Sequence, residues 1–201
     1  GDAGTQKSGG ALNSGIAEKV YIAPGERDEQ YAFISGGYSG NLLVYGLPSG
    51  RLFKEIPVFS QFATSGYGYS EETKPMLNTS FGFVPWDDLH HPDISQTKGE
   101  LDGRWVFVNG NNTPRIARVS LSTFETEEII EVPNSAGNHS SSFVTENTEY
   151  VVAGTRFSVP IPQRDMPIKD YKGNFQGALS FISVAPDTGN MDIKFQILMP
   201  G

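Results

Sequence analysis

Trp105-Val-Phe-Val108, Asn109-Gly-Asn-Asn-Thr-Pro114, Arg115-Ile-Ala-Arg-Val-Ser-Leu121, Ser122-Thr-Phe-Glu125 and Thr126-Glu-Glu-Ile-Ile-Glu-Val-Pro133 form the stretch that decides the fold. Three short apolar or alternating runs are separated by Asn, Gly, Pro and Ser, the residues that turn a chain. That pattern predicts an antiparallel meander of short strands. Apolar residues do not recur every three or four positions, so a helix is not expected here.

The same arrangement appears twice more. Upstream, Tyr31–Ser35 reads as a strand, Gly36-Gly-Tyr-Ser-Gly40 as a turn and Asn41–Tyr45 as a second strand. Pro48-Ser-Gly50 turns again into Arg51–Pro57. Downstream, Tyr150–Gly154 opens a third copy, which a Pro-rich insertion interrupts to about Gly177. It resumes with Leu179–Val184, turns at Ala185-Pro-Asp-Thr-Gly189 and closes with Met191–Met199. Repeats of a short meander without intervening helices predict an all-β fold, a partial β-propeller of about three blades, at about 20–60, 100–135 and 145–200. A β-sandwich with chance internal similarity is the alternative. Residues 61–89 follow no sustained period and are expected to form a long excursion. Residues 1–15 (GDAGTQKSGGALNSG) are Gly/Ser-rich and read as a flexible leader, with order beginning near Val20. Residues 16–201 then form the propeller part. Three blades do not close a ring, so the chain reads as a fragment.

Composition narrows the function. A net charge of −8 argues against a nucleic-acid surface, which needs clustered Lys and Arg to neutralise phosphates. No apolar run reaches the length of a membrane-spanning helix, and no basic region followed by an apolar stretch opens the chain. With no cysteine, disulfides and thiolate ligands are excluded within the segment. Gly36–Gly40 joins two strands instead of opening a helix, so it is no phosphate loop. Asn138-His139-Ser140 matches a glycosylation sequon, a pattern of low specificity.

The chain has three histidines, His90, His91 and His139, and all fall at one phase of the repeat. Each precedes the clear part of a repeat, where the innermost strand of a blade is expected, so the imidazoles are placed to converge from neighbouring blades. A lone histidine is most often a surface or core residue; three at one phase favour a metal site. Imidazole suits copper, zinc, iron and nickel alike. On a straight strand His90 and His91 point to opposite faces, so sharing a site needs a bent backbone or a multi-metal cluster; Pro92 favours the bend. Asp88 is placed to accept the second ring N–H of a ligating histidine, or is a solvated acid. Asp87 and Asp93 are expected to be solvated.

Several further segments form a specific series. Gly25-Glu-Arg-Asp-Glu29, Ser35-Gly-Gly-Tyr-Ser-Gly40 and Ile56-Pro-Val-Phe59 come first, and Asp88-Leu-His-His-Pro-Asp-Ile-Ser95 and Asp102-Gly-Arg-Trp-Val-Phe-Val-Asn109 follow. Arg115-Ile-Ala-Arg118, Val132-Pro-Asn134 and His139 complete it. The series resembles the opening of nitrous oxide reductases and covers nearly everything after residue 20. Asn138-His-Ser-Ser-Ser-Phe143 resembles the branch of that family with Sec-type export. The resemblance implies a seven-bladed propeller followed by a cupredoxin domain. It also implies a periplasmic homodimer that converts nitrous oxide to dinitrogen and water. Seven propeller histidines would hold a sulfide-bridged four-copper cluster (CuZ), and a dinuclear copper centre (CuA) would deliver electrons from a c-type cytochrome or cupredoxin. His90, His91 and His139 carry over as metal and catalytic ligands, and Asp88 as a carboxylate beside the cluster. Four ligands, the cupredoxin domain and the family's calcium ligands have no counterpart in these residues, so the segment alone is expected to be inactive. Two other readings stand beside this one. A non-catalytic propeller scaffold would carry no metal. A lactonase-like hydrolase would use carboxylate ligands, and the acids here do not recur at the repeat phase.

Overall fold

The structure is a computed structural model that describes residues 14–200. Among them, strands dominate and every sheet is antiparallel. A short exposed helix α1 (Ser14–Val20) comes first, then β1 (Gln30–Ser35), β2 (Asn41–Leu47) and β3 (Leu52–Pro57), which form a three-stranded meander. Residues 58–88 make the expected excursion. It contains a single 3-10 turn at Lys74–Leu77 and a two-residue hairpin of β4 (Asn78–Thr79) and β5 (Gly82–Phe83). The second sheet is β6 (Leu89–Thr97), β7 (Glu100–Gly110), β8 (Arg115–Ser120) and β9 (Glu125–Glu131), paired in chain order. The third contains β10 (Ser140–Val144), β11 (Tyr150–Gly154), β12 (Val159–Pro160), β13 (Phe175–Val184) and β14 (Met191–Pro200). The Pro-rich insertion before β13 carries a 3-10 turn and the one-turn helix α2 (Tyr171–Asn174).

The strands expected at 31–57, 105–133, 150–154 and 179–199 are present within a few residues. β6 and β10 extend the second and third sheets upstream, at the repeat phase where an innermost strand is expected; their own residues do not delimit them, because Pro92 interrupts one and serines dominate the other. β6 is an edge strand and Pro92 falls within a break of the ladder, so its missing N–H costs no strand-pairing bond. Of the leader at 1–15, residues 1–13 lie outside the described residues. Ahead of Val20, where order is expected to begin, Ser14–Val20 already form α1, a helix too short and too exposed to leave an apolar stripe in the sequence.

β7 holds the sheets together because its alternation serves two cores. Val106 and Val108 pack on one face with Leu42, Val44, Ile56, Phe59 and Leu89. Trp105 and Phe107 pack on the other with Ile116, Val151, Ala153 and Ile182. A strand covered on both faces reads as a continuous apolar run, which is what Trp105–Val108 shows. First strands lie side by side: β1 against β6, and β6 against β10. The Leu89 N–H donates to the Gly37 carbonyl at 3.0 Å, and the Val144 N–H donates to Asp93 Oδ2 at 2.8 Å. Gly40 allows the chains to approach this closely. It has φ +66°, and a Cβ there would lie 2.8 Å from the carbonyl oxygens of both Phe59 and Asp87.

The β6–β7 hairpin is closed by Asp102, which accepts hydrogen bonds from Ser95 Oγ, Thr97 Oγ1 (2.8 Å) and Arg104 Nε (2.9 Å). Partial burial alone would raise its pKa; these donors outweigh that and hold it below 3.8. A depressed carboxylate contributes stability above its unfolded value and loses it as pH falls through the folded value. The unfolding free energy should therefore fall more steeply below about pH 4 in the parent than in Asp102→Asn, when followed by denaturant titration across pH. Equal slopes would contradict this account of the hairpin.

Candidate metal centre

His90 and His91 sit at the start of β6, and His139 immediately precedes β10. These two strands are neighbours, so the three side chains meet across the gap between the second and third sheets. Ring centroids are 5.7 Å apart for His90–His91, 5.0 Å for His90–His139 and 4.8 Å for His91–His139. One ring nitrogen from each lies within 4.8 Å of the others.

The local backbone makes this possible. His91 has φ +41°, in the left-handed region, and the β6–β7 register shifts between His90 and Asp93. On an unbroken strand the adjacent histidines would face opposite sides. The bulge removes that restriction and turns both rings toward His139. A left-handed backbone at a residue with a Cβ costs about 1–2 kcal/mol, which the surrounding ladder must offset.

His90 is held from behind. Its Nε2 lies 3.0 Å from Asp88 Oδ2, and that same oxygen accepts from Asn111 Nδ2 at 3.2 Å. With Nε2 engaged, Nδ1 is the nitrogen of His90 with a free lone pair. For His91, partial desolvation first, and then the like charges of His139 and His90, lower the pKa. The ring therefore stays neutral, the form that offers a lone pair to a metal, to lower pH than a free imidazole. His91 and His139, with Pro92, Asp93, Ser142 and Phe143, line an open cleft of about 690 Å³.

Asp87 and Asp93 are not solvated. Asp87 is fully buried, because it caps the β7–β8 turn: it accepts from the Asn112 N–H (3.0 Å), the Thr113 N–H (2.9 Å) and the Thr113 hydroxyl. Arg115 Nη2 lies 4.0 Å away, itself buried, with its guanidinium over the Phe59 ring. Asp93 is partly buried and accepts from the Ile94 and Val144 N–H groups. It thereby ties β6 to β10 beside the histidines. Sequence reading also passed over Asn109, which pairs with His90 in register. Its only signal was a polar residue continuing the apolar run Trp105–Val108.

Three imidazoles and no carboxylate in the cluster form a donor set for a borderline transition metal such as copper or zinc, not for calcium or magnesium. The fold and the cluster thus define an all-β protein built of antiparallel meanders, with a histidine site where first strands meet. No family model matches the chain. It is 34% identical over 199 residues to the nitrous-oxide reductase of Pseudomonas fluorescens, covering 98% of this chain and 30% of that protein. It is 33% identical over 185 residues to the nitrous-oxide reductase of Stutzerimonas stutzeri, covering 92% of this chain and 28% of that protein. The corresponding enzyme of Cupriavidus necator is 32% identical over 198 residues. The chain belongs to the nitrous-oxide reductase family, and it spans about 30% of the length of these relatives.

The strain at His91 has a measurable consequence. Because the side chain is exposed, His91→Gly loses little packing and relieves the left-handed backbone, so it should be as stable as the parent or up to about 1 kcal/mol more stable. His91→Val, which tolerates that conformation worst, should lose about 1–2 kcal/mol. Equal destabilisation of both variants in denaturant unfolding would show that the bulge is not strained at this residue.

Proposed function

We propose that this chain is the opening part of the β-propeller of a copper-dependent nitrous oxide reductase, with the three sheets as its first blades. In this reading His90, His91 and His139 are ligands of a four-copper sulfide cluster (CuZ) that the remainder of the parent protein completes. The observation that carries the reading is the meeting of three imidazoles from two sheets within 4.8 Å, on a backbone bent at His91. When bound, copper supplies the electron-transfer chemistry by which nitrous oxide is converted, with electrons and protons, to dinitrogen and water.

The chain's own residues set the site. Asp88 fixes the ring of His90 and directs its Nδ1 to the cluster, as a carboxylate behind a ligating imidazole does. Asp93 and the Val144 N–H hold β6 and β10 at the separation the three rings need. Adjacent histidines serve a multi-metal cluster without having to chelate a single ion.

The rest of the reading concerns the parent. It is a periplasmic homodimer with four more histidine ligands, a cupredoxin domain carrying a dinuclear copper centre (CuA), and calcium. A c-type cytochrome or a cupredoxin is the electron donor. A non-catalytic propeller scaffold is the competing class, and it gives no reason to bring three imidazoles together over a strained backbone.

Replacing His90 or His139 by Ala in the full-length parent should abolish loading of the cluster while circular dichroism stays unchanged, since neither ring belongs to the two cores. Asp88→Asn should weaken copper binding by roughly 10–100-fold. Copper content by elemental analysis checks both; full loading in the two alanine variants would overturn the assignment.

A further inference from the structure

The layer between the second and third sheets is apolar along most of its length, where Trp105, Phe107, Ile116, Val151 and Ile182 meet. It turns polar at the histidine end. Asn109 pairs with His90, so both side chains leave the β6–β7 ladder on the face that also carries Phe107. Asn109 is wholly buried, and neither its Nδ2 nor its Oδ1 has a hydrogen-bond partner in the protein. Asn111, just past the end of β7, spends its Nδ2 on Asp88; its own Oδ1 and Asp88 Oδ1 are left unpartnered. From the neighbouring first strand β10 comes Ser142, which lies in the stretch where the β10–β11 register shifts, beside His91 and His139. Ser142 is 3% exposed and its Oγ has no partner.

A buried polar group without a partner is destabilising because it has given up its hydrogen bonds to water. Several together are more than a marginally stable domain leaves uncompensated. The groups concerned are both donors and acceptors, gathered around the histidines, and this is the environment that holds internal water. A bound cation would satisfy the oxygens of Asp88, Asn109, Asn111 and Ser142 but not the Asn109 amide N–H. Water satisfies both kinds of group.

We propose that the histidine end of this layer is a binding site for ordered water, built by Asn109, Asn111, Asp88 and Ser142, and that Asn109 is a positioning residue for His90. Through that water Asn109 holds Oδ1 of Asp88, while Oδ2 of the same carboxylate fixes the His90 ring. Ser142 also lines the open cleft beside His91 and His139, which gives the water a path of exchange with solvent. The inference deepens the metal-site reading and rests on it for its consequence, though its test does not require metal.

Two measurements on the full-length, metal-free protein test it. High-resolution diffraction should show a water peak within hydrogen-bond distance of Asn109 and Asp88 Oδ1. Imidazole ¹H–¹⁵N spectra should show His90 as a single tautomer, protonated on Nε2. Asn109→Leu, similar in size but apolar, should expel the water and give His90 a mixture of tautomers. Asn109→Ser, polar and with room for one more water, should restore the single tautomer. The proposal is overturned by direct protein hydrogen bonds in place of the water, by a peak with oxygen neighbours at about 2.3–2.6 Å as a cation has, or by an unchanged His90 spectrum in Asn109→Leu. Should Asn109→Leu fail to fold, Asn109→Ser decides: a single tautomer supports the water site, and a mixture refutes it. A protein that meets these expectations yet binds no copper would sink the metal reading and leave the water site standing.

Discussion

A β-strand sends neighbouring side chains to opposite faces, and the whole site depends on where that rule is suspended. At His91 the backbone takes a left-handed conformation, the β6–β7 ladder slips by a residue, and two histidines adjacent in sequence come to share one side. The rings then meet a third, His139, only because β6 and β10 are neighbouring first strands of consecutive sheets. Pro92 is compatible with this break because it has no N–H to contribute to the ladder there. Strain of this kind persists where the surroundings over-determine it, and it clusters at functional positions.

The surroundings here are unusually fixed. Immediately before the bulge, the buried Asp87 carboxylate gathers the β7–β8 turn and faces the buried Arg115. The Asp87 N–H donates to the Phe59 carbonyl at 2.7 Å, tying it to the chain just past β3. Removing one partner of such a pair is far more damaging than the pair's net contribution to stability, since it leaves a charge buried alone. Asp88, the next residue, is therefore presented to His90 from a rigid base. Asp93, beyond the bulge, anchors the strand to the third sheet. The histidines thus lie between two anchored carboxylates, one on each side of the bend.

Much of this was legible in the sequence, for identifiable reasons. Trp105–Val108 announces itself as a strand because both faces of its sheet are covered and apolar residues fill it. The common repeat phase of His90, His91 and His139 pointed to convergence, and Pro92 pointed to the bend. β6 and β10 were legible from the repeat phase alone, since a proline and a run of serines oppose strand propensity and tertiary pairing overrides them. The burial of Asp87 and Asp93 was hidden. Their partners, Thr113, Arg115 and Val144, are distant in sequence, and no local pattern distinguishes a capped carboxylate from a solvated one. Asn109 was invisible for the same reason: its role depends on standing opposite His90 in the register.

The central claim is that one metal site spans the two sheets through these three rings. Anomalous diffraction at the copper edge, from crystals of the full-length protein loaded with copper, tests it most directly. The account predicts anomalous peaks within bonding distance, about 2 Å, of a ring nitrogen of each of His90, His91 and His139. Copper bound elsewhere, with any one of the three rings turned away from it, would contradict the account.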